Sequence, residues 1–201
     1  MLTIVDYGVG NLRSVYMAFK RLGFEAHIAT TAGEIRQATS LVLPGVGAFG
    51  DAMGNLQALG MVDELRAALR SGLPFLGICL GLQLLFEMSE EMGEHRGLGV
   101  LAGRVRRFPK GLAVPQIGWN QIKQVQPSPL WQGVADQSYA YFVHSYYVAP
   151  EDPGVTIGST DYGGEYTSAV ALDNMYAIQF HPEKSQDIGE SILRNFQRLT
   201  Q

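Results

Sequence analysis

The first half of the chain alternates short apolar runs with stretches whose apolar residues recur three and four apart, and few architectures accept that order. Leu2 to Val5 reads as a buried strand that ends in the turn-prone Tyr7-Gly8-Val9-Gly10. Asn11 stands where it would cap a helix with the apolar face Leu12, Val15, Tyr16, Phe19 and Leu22, and Gly23 supplies a left-handed stop. Glu25 to Ala29 and Ser40 to Leu43 are the next strands, with helical stretches over Asp51 to Ala58 and Met61 to Ser71. Leu73 to Ile78 is a further strand and Leu80 to Met88 the helix after it. Such alternation predicts an α/β fold, a mostly parallel sheet with helices on both faces.

The second half changes period. From Gly103 to Phe180 the runs alternate every second residue between Gly and Pro: Arg104 to Phe108, Trp119 to Val125, Tyr139 to Val148, Val155 to Ser159, Thr167 to Leu172 and Met175 to Phe180. These suit antiparallel or mixed strands that extend the same sheet, and an amphipathic helix over Ile188 to Leu199 would cover one face. There is no internal repeat and no linker rich in Ser or Gly, so residues 1–201 are expected to form one domain.

Composition removes several classes of function. Apolar residues make up 46% and charged residues 17%, a globular balance. The net charge is -4, and the only basic cluster, Arg104, Arg106 and Arg107, is too short for a nucleic-acid surface. No apolar run reaches the roughly 18 residues of a membrane span, and Met1 to Tyr7 lacks a signal-peptide pattern. A single cysteine, Cys79, forbids an intrachain disulfide and points to a reducing cytoplasm.

That cysteine stands in Gly77-Ile78-Cys79-Leu80-Gly81, where a strand turns sharply into a helix. A nucleophile at so tight an elbow sits in a strained conformation, and side chains two residues either side would collide with the turn. A helix N-terminus favours thiolate, and the Leu80 N–H then points at a developing oxyanion. Among four histidines, His27 and His95 read as structural or solvated and His144 as core packing. His181 differs: it follows an apolar strand, is locked by Pro182 and precedes Glu183 by two. In an extended segment residues i and i+2 share a side, so Glu183 can orient the ring while its other nitrogen faces a thiol. Pro44-Gly45-Val46-Gly47, after the third strand, lacks the dinucleotide fingerprint. At the carboxyl ends of parallel strands its N–H groups would overhang the elbow and supply a second oxyanion donor.

These pieces together resemble the class I (triad) glutamine amidotransferases. Within them the chain is similar to the glutaminase subunits of imidazole glycerol phosphate synthases. The resemblance rests on Asp6-Tyr7-Gly8-Val9-Gly10-Asn11-Leu12, Leu43-Pro44-Gly45-Val46-Gly47, Gly77-Ile78-Cys79-Leu80-Gly81-Leu82-Gln83, Pro115-Gln116-Ile117-Gly118-Trp119-Asn120, Tyr141-Phe142-Val143-His144-Ser145-Tyr146 and Gln179-Phe180-His181-Pro182-Glu183-Lys184-Ser185. It spans nearly the whole length, with one departure at Gln186, where Gly is more usual. It implies a three-layer α/β/α, flavodoxin-like fold and a glutaminase with Cys79, His181 and Glu183 as triad. It further implies Val46, Gly47 and Leu80 at the oxyanion, and Gly45, Gly81, Gln83, Ser145 and Tyr146 around glutamine. Asn11, Gln116, Trp119, Asn120 and Lys184 would face a cyclase partner, a (β/α)₈ barrel bound in trans as a heterodimer. That partner would take the channelled ammonia in histidine biosynthesis and make imidazole glycerol phosphate and an aminoimidazole carboxamide ribotide. No cofactor and no metal are implied. A glutaminase serving another synthase, a free-standing cysteine hydrolase and a non-catalytic binding module remain the alternatives.

Overall fold

The computed structural model describes residues Met1–Gln201. In chain order the elements are β1 (Leu2–Val5), α1 (Leu12–Arg21), β2 (Ala26–Ala29), α2 (Ala32–Arg36), β3 (Ser40–Leu43), α3 (Phe49–Ala58), α4 (Val62–Arg70), β4 (Phe75–Ile78) and α5 (Leu80–Gln83). They continue with β5 (Phe86–Ser89), β6 (His95–Arg96), β7 (Leu101–Arg107), β8 (Gln116–Gln124), β9 (Ser138–His144), β10 (Tyr146–Pro150), β11 (Thr156–Asp161), β12 (Glu165–Leu172), β13 (Met175–Ile178) and α6 (Gln186–Leu199).

All thirteen strands join one sheet, whose main path runs β2-β1-β3-β4-β13-β12-β10-β7-β5-β6. The five strands from β2 to β13 are mutually parallel, and antiparallel pairing begins at β12. Successive residues of these strands are apolar on both sides, as a covered parallel sheet requires. Ile4, Val42, Leu76 and Ile78 meet Val15 and Phe19 of α1 and Ile192 and Phe196 of α6. Val5, Leu41, Leu43 and Phe75 meet Phe49, Leu56 and Leu65 of α3 and α4. This is the expected α/β/α layering.

Strand register decides what comes together. Ile78 pairs with Ile178 and Leu43 with Gly77, so the segments following β3, β4 and β13 emerge side by side. The turn after β1 lies one strand further along. Four loops, Asp6–Asn11, Pro44–Ala48, the elbow and the His181 segment, thus share one edge, where ligands bind in open parallel sheets.

Three elements depart from the sequence reading. Leu80 to Met88 is not one helix: α5 ends at Gln83, and Phe86–Ser89 is strand β5 between β6 and β7. Leu84, Leu85 and Phe86 are all buried, so a continuous apolar run carried no period to separate the two. Tyr139 to Val148 is two strands, because the chain changes neighbours at Ser145, from β8 to β7 and β12. Helix α2 escaped notice although Thr31 and Glu34 form a reciprocal capping box at its start.

Candidate active site

Cys79 adopts φ 54 and ψ -106, a backbone region that L-residues rarely occupy, and the surroundings hold it there. Its N–H donates to the Ile178 carbonyl at 2.8 Å, while its carbonyl accepts from Leu82 and Gln83. A Cβ on Gly77 would lie 2.8 Å from the Gly81 carbonyl oxygen, and one on Gly81 would overlap the Leu43 carbonyl. The glycine spacing is therefore a steric demand of the elbow. The thiol, only 5% exposed, lies at the wall of a cavity of about 270 Å³.

His181 Nδ1 lies 2.8 Å from Glu183 Oε1, with both side chains shut away from solvent. Pro182–Lys184 form a single 3₁₀ turn rather than the extended segment read from the sequence, and Glu183 still reaches the ring. Ser185 Oγ donates to the His181 carbonyl at 2.6 Å and accepts the Tyr141 N–H, which stitches the segment to β9. Gln186 sits at φ 50, a conformation that costs glycine least and explains why that residue is more usual there. The second imidazole nitrogen, Nε2, is buried with no nitrogen or oxygen partner. Burial alone would lower the His181 pKa, but the nearby Cys79 and the Glu183 carboxylate outweigh it and raise it to about 10. Glu183 is likewise disfavoured by burial yet held below the ordinary carboxylate range by His181 and Asn11.

Asn11 does not cap α1. It takes a left-handed φ of 78 with no side-chain cap bond, and its carboxamide donates instead to Glu183 Oε1 at 2.8 Å. The strain of that conformation is spent on steadying the carboxylate.

In the Pro44–Ala48 loop, hydrogen bonds fix which way the peptide planes face. The Leu80 N–H is not free, because it donates to the Gly45 carbonyl at 3.3 Å. The Val46 N–H belongs to the same peptide plane and must point the opposite way, so a carbonyl rather than an N–H faces the elbow. A buried donor takes the nearest acceptor. Tyr7 anchors the loop by donating to the Pro44 carbonyl at 2.8 Å. A Cβ on Gly45 would fall on the Tyr7 hydroxyl, and one on Gly10 would lie 2.9 Å from the Val46 side chain. Gly47 has φ 110.

Of the residues expected at the oxyanion, Val46, Gly47 and Leu80 line the cavity, and of those expected around a substrate, Gln83, Ser145 and Tyr146 do. Gly45 and Gly81 do not line it; a Cβ on either would collide, with the Tyr7 hydroxyl and the Leu43 carbonyl respectively. Four further lining residues, Glu91, Pro115, Val143 and His144, were not among the expected site residues. Glu91, in the charged turn after β5, reaches the cavity while accepting the Phe49 N–H at 2.7 Å. His144 was read as packing, yet it lines the cavity with Nδ1 2.8 Å from the Tyr146 carbonyl and Nε2 3.1 Å from the Tyr166 hydroxyl. Burial pushes its pKa down to about 4, and the nearby His181 acts in the same direction against the Tyr146 bond. Gln179 was also missed as a site residue: its Nε2 donates to Cys79 Sγ at 3.5 Å. A polar residue ending the apolar strand β13 was the signal available.

The hairpin of β8 and β9 carries an exposed apolar face, Ile117, Trp119 and Tyr139. Trp119 meets Tyr141 edge-on at 6.0 Å, and Lys184 Nζ lies 5.7 Å from the Tyr141 ring centroid. Strand alternation puts Gln116 and Asn120 on the face opposite Trp119. Gln116 is buried and accepts from the Tyr166 hydroxyl, while Asn120 donates to the Asp161 carbonyl. No cluster of three or more His, Cys, Asp or Glu is arranged to hold a metal, and no helix is long and apolar enough to cross a membrane.

Comparison with known proteins agrees with this geometry. The family model described as glutamine amidotransferase class-I matches residues 3–199. The imidazole glycerol phosphate synthase subunit HisH of Syntrophotalea carbinolica is 51% identical, with 98% of each chain covered. The protein of that name from Aquifex aeolicus is 52% identical over 97% of this chain and 95% of its own. Among solved structures, PurLQS from Thermotoga maritima superposes with a TM-score of 0.78 at 18% identity, covering 98% of this chain and 97% of its own. A glutamine amidotransferase crystal structure gives 0.77 at 22% identity, with 98% of each chain covered. At these identities the superpositions speak for the fold alone. With an elbow cysteine, a buried His-Glu pair and full-length relatives at about half identity, the chain belongs to the class-I glutamine amidotransferase family, among its HisH subunits.

Proposed function

We propose that this chain hydrolyses L-glutamine to glutamate and hands the ammonia to a cyclase partner. The observation that carries this is the His181–Glu183 pair at 2.8 Å, buried, with its open Nε2 turned to the single cysteine. A cavity of about 270 Å³ suits an amino acid better than a nucleotide, since small-molecule sites usually span about 300–1,000 Å³.

Glutamine enters with its carboxamide at Cys79. Glu91 is the carboxylate available to its α-ammonium group, and Ser145 and Tyr146 border its other end. The Cys79 thiolate attacks the carboxamide carbon, and the developing oxyanion draws on the Leu80 N–H. For that donor to be free the Gly45–Val46 peptide turns over, which replaces a carbonyl by the Val46 N–H; one such donor contributes about 10²–10³-fold. His181, carrying its proton on Nε2, protonates the departing nitrogen, and ammonia leaves a γ-glutamyl thioester. His181 then takes a proton from water as the hydroxide displaces Cys79 and releases glutamate. Asn11 and Glu183 hold the ring throughout.

Ammonia lost to water is wasted, and the Gly45 carbonyl on Leu80 keeps the isolated chain nearly idle. The partner is a (β/α)₈-barrel cyclase of imidazole glycerol phosphate synthase, bound in trans as a heterodimer. It docks on the Ile117, Trp119 and Tyr139 face with Lys184 at its rim, and docking favours the N–H-in state of the loop. The relatives' shared name supports this assignment. The continuous sheet from β1 to β13 supports one domain over residues 1–201, and a lone cysteine suits the cytoplasm.

The deciding experiment is Cys79→Ser in the reconstituted synthase. Glutamine-dependent turnover is expected to vanish while turnover with added ammonium persists. Glutamine-dependent activity near wild type in this variant would remove Cys79 from the chemistry.

A further inference from the structure

Two buried glutamines lead from a fixed backbone carbonyl to the nucleophile. Gln83 Nε2 donates to the Tyr146 carbonyl at 3.0 Å and to Gln179 Oε1 at 3.1 Å. Gln179 Nε2 in turn donates to Cys79 Sγ at 3.5 Å, and Gln179 is wholly buried. Amide oxygen and nitrogen are hard to tell apart by shape, but here the orientation follows from the partners. A backbone carbonyl only accepts, so the Gln83 atom facing it is the NH₂. That same NH₂ faces Gln179, so the Gln179 oxygen must be turned towards it. The opposite end of Gln179, which meets the sulfur, is then an N–H donor.

We propose that Gln179 is a catalytic hydrogen-bond donor that holds the Cys79 sulfur as thiolate, and that Gln83 positions its amide. This rests on Cys79 being the nucleophile. Hydrogen bonds from N–H to an anion favour the charged form, most strongly where water is excluded. Imidazole and amide thus divide the work. His181 supplies a donor that leaves with the proton, whereas the Gln179 N–H cannot transfer one and stays on the sulfur. Gln83 then has a second task besides lining the cavity: without it nothing prevents Gln179 from turning its oxygen to the sulfur.

The single cysteine makes the test direct, since alkylation by iodoacetamide reports on Cys79 alone. It is followed against pH in the whole chain and needs neither glutamine nor partner. Failure here therefore leaves the glutaminase reading standing, and failure of glutamine turnover leaves this one standing. In Gln179→Met the acid limb of the profile is expected to be about tenfold slower, the size of one lost charge-assisted bond, with the alkaline plateau retained. Gln179→Glu loses more, because a carboxylate adds repulsion, and Gln83→Leu shifts the same limb by less. A Gln179→Met profile superimposed on wild type would overturn the proposal. So would a loss equal at every pH, which signals altered access. If the Gln179 variants fail to fold by circular dichroism, Gln83→Leu decides alone, with a wild-type profile refuting the positioning.

Discussion

Replacing Glu183 by glutamine isolates the contribution of a buried charge, because the amide has nearly the same shape. Glu183 Oε1 receives His181 Nδ1 and Asn11 Nδ2, each at 2.8 Å. An amide oxygen in the same place keeps both contacts but removes the acceptor's charge, and its NH₂ falls where Glu183 Oε2 is buried without a partner. Charged hydrogen bonds contribute about 1.5–3 kcal/mol and neutral ones about 0.5–1.5 kcal/mol. The difference, roughly 1–2 kcal/mol, corresponds to about 5- to 30-fold in kcat. His181→Asn removes the proton-transferring group itself and should cost about 10²–10⁴-fold. Glutamate release by the reconstituted synthase, measured for both variants, gives the ranking.

The same substitution has a signature in the isolated chain. The His181 pKa is raised from 6.5 to about 10, so its contribution to stability is fully present below about pH 6.5 and lost as pH rises through about 10. Glu183→Gln lowers the upper limit, so this alkaline loss becomes smaller and is complete at a lower pH. Imidazole titration by NMR and unfolding midpoints across that range would both register the change. Equal kinetic losses in the two variants, or an unmoved His181 titration, would refute the assignment of Glu183 as orienting charge.

Two further expectations concern the surroundings. The His144 pKa lies near 4 instead of 6.5, so between these values the unfolded chain takes a proton that the folded one refuses, and stability falls on acidification. On the order of 3 kcal/mol is at stake; His144→Gln should lose visibly less across that window in denaturant titrations, and parallel curves would contradict it. Trp119→Ala, on the exposed β8–β9 face, should weaken cyclase binding by at least about 2 kcal/mol, roughly 30-fold in Kd by calorimetry. Unchanged affinity would move the docking surface elsewhere.

Much of the site was legible because it is encoded locally. Glycines at 77 and 81 announce an elbow that no larger side chain fits, and Cys79 lies between them. His181-Pro182-Glu183 is a near-neighbour pair whose geometry survives the change from an extended segment to a 3₁₀ turn. Alternating strand and helix periods fixed the layering of the first half. Where the chain was apolar without period, as from Leu80 to Met88, pattern could not tell helix from strand, and pairing with β7 settled it.

What only the tertiary structure decided is which groups face one another across the chain. Cys79 lies 100 positions from Gln179, and no local pattern links them; adjacency arises because Ile78 pairs with Ile178 in neighbouring parallel strands. The same holds for Asn11, whose carboxamide leaves its helix for Glu183, 172 positions away. It holds also for the Leu80 N–H, taken by the Gly45 carbonyl from the next strand's loop. Sequence by itself determined the candidate reacting groups and the elbow, because residue type and spacing constrain the backbone within a few positions. Strand order and register determined their partners, since those depend on burial summed over the whole sheet.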